Sequence, residues 1–160
     1  MLLFNFEKST ELANWQVVND GVMGGLSSAT LQFDSAGHAI YQGRVSLENN
    51  GGFSSIRTNF NTQDVSSFSE VCLRIKGDGK RYQFRMKSTA NQRYSYIHHF
   101  ETSGEWEEIT LPFAQFYPAF RGRKLDQPNF NGKTLGSVSF LIGNKKAESF
   151  ELMIERIELR

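Results

Sequence analysis

The sequence predicts an all-β chain folded as a single β-sandwich domain spanning residues 1–160. Three observations carry this. Apolar side chains recur with a period of two along most of the chain, and turn residues (Gly, Asn, Asp, Ser) punctuate those runs at short intervals. Helical periodicity is nearly absent, with at most one turn after Ser9-Thr10 and another near Val65-Ser66-Ser67. Many short alternating strands must bury one face each, and two stacked sheets achieve that.

Taken in order, "ATLQF" alternates like a strand and leads to "SAGHA", a hairpin tip that carries His38. "AIYQGRVSL" and "FSSIRTNF" flank Asn50-Gly51, a dipeptide suited to the positive φ angles of a tight hairpin. Gly52 is then expected to let Phe53 enter the core. In "EVCLRIKGDGKRYQFRMKS", Val71, Leu73 and Ile75 share one phase, and Tyr82, Phe84 and Met86 share another beyond Gly77-Asp78-Gly79. This reads as a second hairpin, with one apolar face and one basic face. Trp106 opens a strand ending in "LPF", and "SVSFLIG" is a buried strand. In "SFELMIERIEL", Phe150, Leu152 and Ile154 take one phase and Ile157 and Leu159 the other, so a bulge is expected near Glu155-Arg156. Trp15 and Trp106 are both expected in or near the core, since each buries a large apolar area.

Composition removes several function classes. Hydrophobic residues make up 39% and charged residues 22% of the chain, as in ordinary globular proteins. The formal charge of +1 gives no global attraction for nucleic acid or an anionic membrane. A lone cysteine, Cys72, rules out an internal disulfide and a cysteine-built zinc site. No apolar stretch approaches a membrane span, and "MLLFNFEKS" lacks the basic start of a signal peptide, so a cytoplasmic location is expected. Neither "GVMGG" nor "GDGKRY" leads into a helix as a phosphate-binding loop requires. His98 and His99 are adjacent and point to opposite faces of a strand, so they do not chelate one ion together. No nucleophile elbow is present. Asp20, Glu48 and Asp78 stand beside turn glycines, where carboxylates commonly cap backbone amides. No cofactor or metal is therefore expected, and an enzyme of unknown reaction, with these loop carboxylates as its only candidates, ranks third among the function classes, behind two non-catalytic readings.

Four segments in order carry a resemblance: "W..VNDGVMGGLSSATL", "YQGRVSLENNGGFSSIRT", "DVSSFSEVCLRIKGDGKRYQFRMK" and "WEEITLPFAQFYPAFRG". Together they look like the complex I intermediate-associated protein 30 domain, from about Trp15 to Ile157. That resemblance implies a galactose-binding-like jelly roll and a role in assembling a protein complex. Its implied partners are proteins, respiratory-complex subunits among them. A carbohydrate-binding module is the alternative, resting on the fold and on aromatic residues for stacking; Tyr96→Ala and Trp106→Ala would then abolish glycan binding without loss of folding.

The candidate binding residues fall into two groups. Arg74, Lys76, Arg81, Gln83, Arg85 and Lys87 lie on one face of the second predicted hairpin, with Arg57 as a further cation and Tyr94 and Tyr96 as aromatic platforms. Such a stripe reads either as a solvated outer face or as a ligand face of the sandwich. Both readings stand at this point. The second group is the pair of glycine runs: Asn19, Asp20, Gly24 and Gly25 in "NDGVMGG", with Asn49 and Asn50 in "ENNGGF". Close packing of these runs against each other is expected to explain their glycines, with Asn19 and Asp20 capping freed amides. Asp20→Asn is expected to keep much of that capping.

Overall fold

The computed structural model describes residues 1–6, 14–23 and 25–160. The expected turn after Ser9-Thr10 lies outside them. The first part of the chain forms β1 (Leu2–Asn5), β2 (Gln16–Asn19), β3 (Ser28–Phe33), β4 (Ala39–Val45) and β5 (Ser54–Asp64). The middle gives β6 (Glu70–Lys76), β7 (Arg81–Lys87), β8 (Ser95–Glu101) and β9 (Trp106–Pro112). The last part gives β10 (Tyr117–Phe120), β11 (Arg123–Lys124), β12 (Thr134–Ile142) and β13 (Glu148–Leu159).

These strands make two antiparallel sheets. The first runs β3-β4-β13-β6-β9, with β1 added on β13; the second runs β11-β10-β8-β7-β12-β5-β2. The inner faces meet in a core rich in aromatic rings. Phe84 packs edge-on to Phe140 at 5.1 Å and to Phe116 at 6.3 Å, while Tyr41 meets Phe150 at 4.8 Å. Trp15 is buried against Phe4, Phe6 and Phe140. The arrangement is a jelly-roll β-sandwich of the galactose-binding-like kind.

Period-two alternation translates directly into burial. Leu73, Ile75, Tyr82, Phe84 and Met86 are all buried, and their alternating basic neighbours face outward. β13 carries the expected bulge: its register against β6 shifts between Ile154 and Arg156, which lets Ile154 and Ile157 both reach the core. The hairpin tip at His38 also forms, between β3 and β4.

The two hairpins expected at Asn50-Gly51 and at Asp78-Gly79 do not form. β4 pairs with β3 and β13, whereas β5 pairs with β12 and β2. Likewise β6 pairs with β13 and β9, and β7 with β8 and β12. Both glycine-containing loops are crossovers that carry the chain from one sheet to the other. Local turn chemistry marks a reversal but does not say which strand will be the partner; burial of each sheet's apolar face decides that. At the second crossover Gly79 takes φ 81°, and the Asp78 carboxylate accepts from the Tyr82 hydroxyl at 3.0 Å and from Glu151 N–H at 2.8 Å. At the first, Phe53 is half-buried and borders an outer cavity instead of entering the core.

Candidate functional site: a cationic face on the second sheet

Because β6 and β7 lie in different sheets, the predicted basic stripe is split. Arg74 and Lys76 belong to the first sheet, where the Arg74 guanidinium lies 5.8 Å over the Trp106 ring and 3.6 Å from a Glu155 carboxylate oxygen. Trp106 is half-buried there, packed against His38 at 4.5 Å. Arg85 and Lys87 belong to the outer face of the second sheet.

That outer face is assembled by register. On β12, Ser139 stands opposite Arg57 of β5 on one side and Arg85 of β7 on the other. Ser137, one step along the same face, stands opposite Asn59 and Lys87. Their chain neighbours Val138, Phe140, Phe84 and Met86 point into the core, so the row is held by a rigid, fully packed underside. A cavity of about 580 Å³ opens here; Arg57, Arg85, Lys87, Arg93 and Arg121 line it, and no Asp or Glu among the described residues does. A second hollow of about 940 Å³ adjoins it around Arg81, His99, Tyr117 and Lys124, with Glu101 and Glu148 also in its lining, and shares Gln83 and Arg85 with it.

The charge is one-sided around Arg57, Arg85 and Lys87, whereas in the adjoining hollow Arg81 lies 3.5 Å from a Glu101 carboxylate oxygen. Among the described residues, no carboxylate forms an ion pair with Arg57, Arg85 or Lys87. The Arg85 Nε–H donates to Gln83 Oε1 at 2.8 Å, a neutral partner. Burial pulls the affinity of Arg85 for its proton below that of a free guanidinium. For Lys87, burial and then the neighbouring charges of Arg57 and Arg85 hold the ammonium below its ordinary pKa. His99 on the same face accepts or shares a proton with the Tyr117 hydroxyl at 2.7 Å, and burial lowers its pKa, with Arg81 and Arg85 adding to the effect. His98, on the opposite side of the strand, packs against Phe116.

The rim aromatics are covered by cations. Arg93 and Arg121 lie 5.5 and 5.1 Å from the centre of the Phe120 ring, and Lys124 lies 5.7 Å from that of Tyr117. Tyr96, expected as a platform, is only 7% exposed and faces the core, where it packs against Phe130 at 5.2 Å. Tyr94 is partly buried, edge-on to Tyr96 at 5.5 Å. Neither presents an open ring to the cationic face.

The glycine runs meet at Asp20. Its buried carboxylate accepts four hydrogen bonds: from Ser27 N–H at 3.0 Å, the Ser27 hydroxyl at 2.5 Å, Gly52 N–H at 2.7 Å and Phe53 N–H at 3.2 Å. Burial pushes the Asp20 pKa up, but these donors outweigh it and hold the carboxyl below the usual carboxylate range. A Cβ on Gly25 would overlap the Asp20 carboxyl, and one on Gly51 would come 2.6 Å from Asp20 Oδ2. Beside it, the Tyr41 hydroxyl donates to Ser54 Oγ at 2.8 Å, which donates to Asn19 Oδ1 at 2.5 Å. Asn49 adopts φ 55°, the left-handed region that asparagine tolerates. Asn50 lies in the same short turn, and Gly24 is outside the described residues. Asp20 is thus the knot joining the two runs. It also fixes the cationic cavity's edge, since Gly52 and Phe53 line it.

Sequence reasoning missed Arg93, Arg121, Ser137 and Ser139. The alternation in "SVSFLIG" carried the two serines' facing, but only the β12 register reveals that they sit between the cations. Elsewhere, Cys72 Sγ and the carboxylates of Glu108 and Glu158 approach within 4.8 Å. Arg160 donates to both carboxylates at 2.6 Å, which makes that cluster an ion-pair network.

The solved family 11 carbohydrate-binding module of a cellulosomal cellulase from Clostridium thermocellum is similar in fold, with a TM-score of 0.72 over 99% of this chain and 92% of that one, at 17% identity. Mitochondrial complex I intermediate-associated protein 30 of Drosophila melanogaster is 24% identical over 148 residues, covering 79% of this chain and 50% of that protein. Its Mus musculus counterpart is 25% identical over 179 aligned residues, covering 98% and 55%. The chain spans about half the length of these relatives. The family model for Complex I intermediate-associated protein 30 matches residues 4–154, nearly the full chain, and the chain belongs to that family.

Proposed function

We propose that this chain is a non-catalytic binding module that helps to assemble or stabilise a protein complex, and that it docks its partner on the outer face of the second sheet. One observation supports this placement above the rest: Arg57, Arg85 and Lys87 are gathered on a rigid sheet, with no carboxylate among the described residues paired with them. An isolated surface would disperse such charges or pair them, because like charges at close range raise the energy of the free protein. Kinship with the two mitochondrial relatives, named for an intermediate of complex I, makes respiratory-complex subunits the proposed partners. No helix among the described residues is long and apolar enough to cross a membrane. The cytoplasm is the proposed compartment, in line with the free thiol of Cys72.

A glycan would need open aromatic faces here, and the rings of Phe120 and Tyr117 are capped by cations. The test is capture of native partners by the tagged chain from detergent-solubilised cells of its source. Defined protein partners are expected, and they are lost with the paired change Arg85→Gln and Lys87→Gln. Recovery of no partner, together with turnover of a metabolite by the purified chain, would overturn the proposal.

A further inference from the structure

The spacing of the unpaired groups says what kind of partner surface fits. Neighbouring strands lie about 4.8 Å apart, so Arg57 and Arg85, on either side of Ser139, have backbones about 10 Å apart. Arg85 and Lys87 are two residues apart on β7, a step of about 7 Å along the strand. An extended peptide repeats its same-side side chains at that same step of about 7 Å. Ser137 and Ser139 lie between the cations, Ser137 buried and Ser139 partly exposed, and among the described residues no hydrogen bond of the Ser139 hydroxyl is present. The Ser139 hydroxyl is a donor placed for a carboxylate oxygen.

We propose that this face takes an acidic, extended segment of a partner protein running along β7, with alternate carboxylates on Arg85 and Lys87 and with Arg57, across Ser139, flanking the segment's side. This rests on the docking function proposed above and names its chemistry. Charge complementarity selects the occupant. Among the described residues the 580 Å³ cavity is lined by five cations and no acid, so an acidic segment gains charge-assisted contacts there that a neutral or basic one does not. The guanidinium and ammonium groups covering Phe120 and Tyr117 extend the cationic lining outward.

The experiment is fluorescence anisotropy of a short labelled peptide alternating Glu with Thr, titrated with the full chain at rising salt. Saturable binding that weakens steeply with salt is expected, and the matching Gln-Thr peptide should not bind. Arg85→Gln and Lys87→Gln should each weaken binding about tenfold, whereas Lys76→Gln on the first sheet should leave it unchanged. Denaturation midpoints of the variants confirm that each is folded. Failure of the Glu peptide to bind, equal binding by Arg85→Gln, or binding of inorganic phosphate or a neutral oligosaccharide in place of the peptide would overturn the inference. If the peptide fails while native partner capture still depends on Arg85, the acidic segment is wrong and the docking face stands. If capture is also indifferent to Arg85, both fall.

Discussion

Replacing Asp20 by Asn removes one charge and almost no volume, yet the geometry makes it a severe change. Oδ2 accepts from three donors (the Ser27 hydroxyl, Gly52 N–H and Phe53 N–H), and Oδ1 accepts from Ser27 N–H. An asparagine has one oxygen to offer. With that oxygen in the Oδ2 position, its NH₂ group points at Ser27 N–H and leaves a buried donor unsatisfied, at a cost of about 1–3 kcal/mol. The other three bonds lose their charge assistance, which adds roughly 1 kcal/mol. The expected loss is about 2–4 kcal/mol, larger than the residue type alone suggests. Urea denaturation measures it directly, and thermal melting should fall by on the order of 5–15 °C for a domain of this size. The pH dependence gives a second signature. The folded carboxyl has a depressed pKa, so its contribution is fully present above the unfolded value near 3.8 and is lost as pH falls through the folded value. The stability gap between wild type and Asp20→Asn should therefore shrink below about pH 4. An Asn variant within about 0.5 kcal/mol of wild type at neutral pH would refute the four-donor knot.

Gly25→Val and Gly51→Val should each destabilise the chain by roughly 1–3 kcal/mol in chemical denaturation, because a Cβ at either position meets the Asp20 carboxyl. Tyr96→Ala should cost about 3 kcal/mol and shift the melting midpoint, since Tyr96 fills the core beside Phe130; a stable variant would contradict its burial. Lys87→Gln should leave the free chain as stable as wild type, or more stable by up to about 1 kcal/mol, because it relieves repulsion from Arg57 and Arg85. A clear loss of stability in that variant, measured by urea midpoint, would show that the cations are structural.

Much of the sandwich is legible in the sequence because side-chain alternation is a local signal. Val71, Leu73 and Ile75 declare their face within a single strand, and the change of phase after Ile154 announces the bulge. Strand partnership is not local. Asp78-Gly79 reads as a tight hairpin, and nothing nearby says that Glu151 N–H will claim the Asp78 carboxylate while the chain crosses to the other sheet. The same limit splits the basic stripe: Arg74 and Arg85 share an alternation but not a sheet. The glycine runs are readable as a packed pair, since each sets two adjacent glycines after Asn or Asp, a pattern suited to close backbone contact. The number of donors converging on Asp20 is a product of the folded loops. So is the company of Arg57, which lies far from Arg85 in sequence and reaches it through β12.

The central claim is that the partner sits on the outer face of the second sheet. Site-specific photocrosslinking in intact cells tests it most directly, with a photoreactive side chain placed at Ser139 between Arg57 and Arg85, and at Lys76 on the first sheet as the comparison. A discrete protein adduct from position 139, lost when Arg85 and Lys87 are changed to Gln, and no adduct from position 76, is the predicted result. An adduct from position 76 with none from position 139 would contradict it.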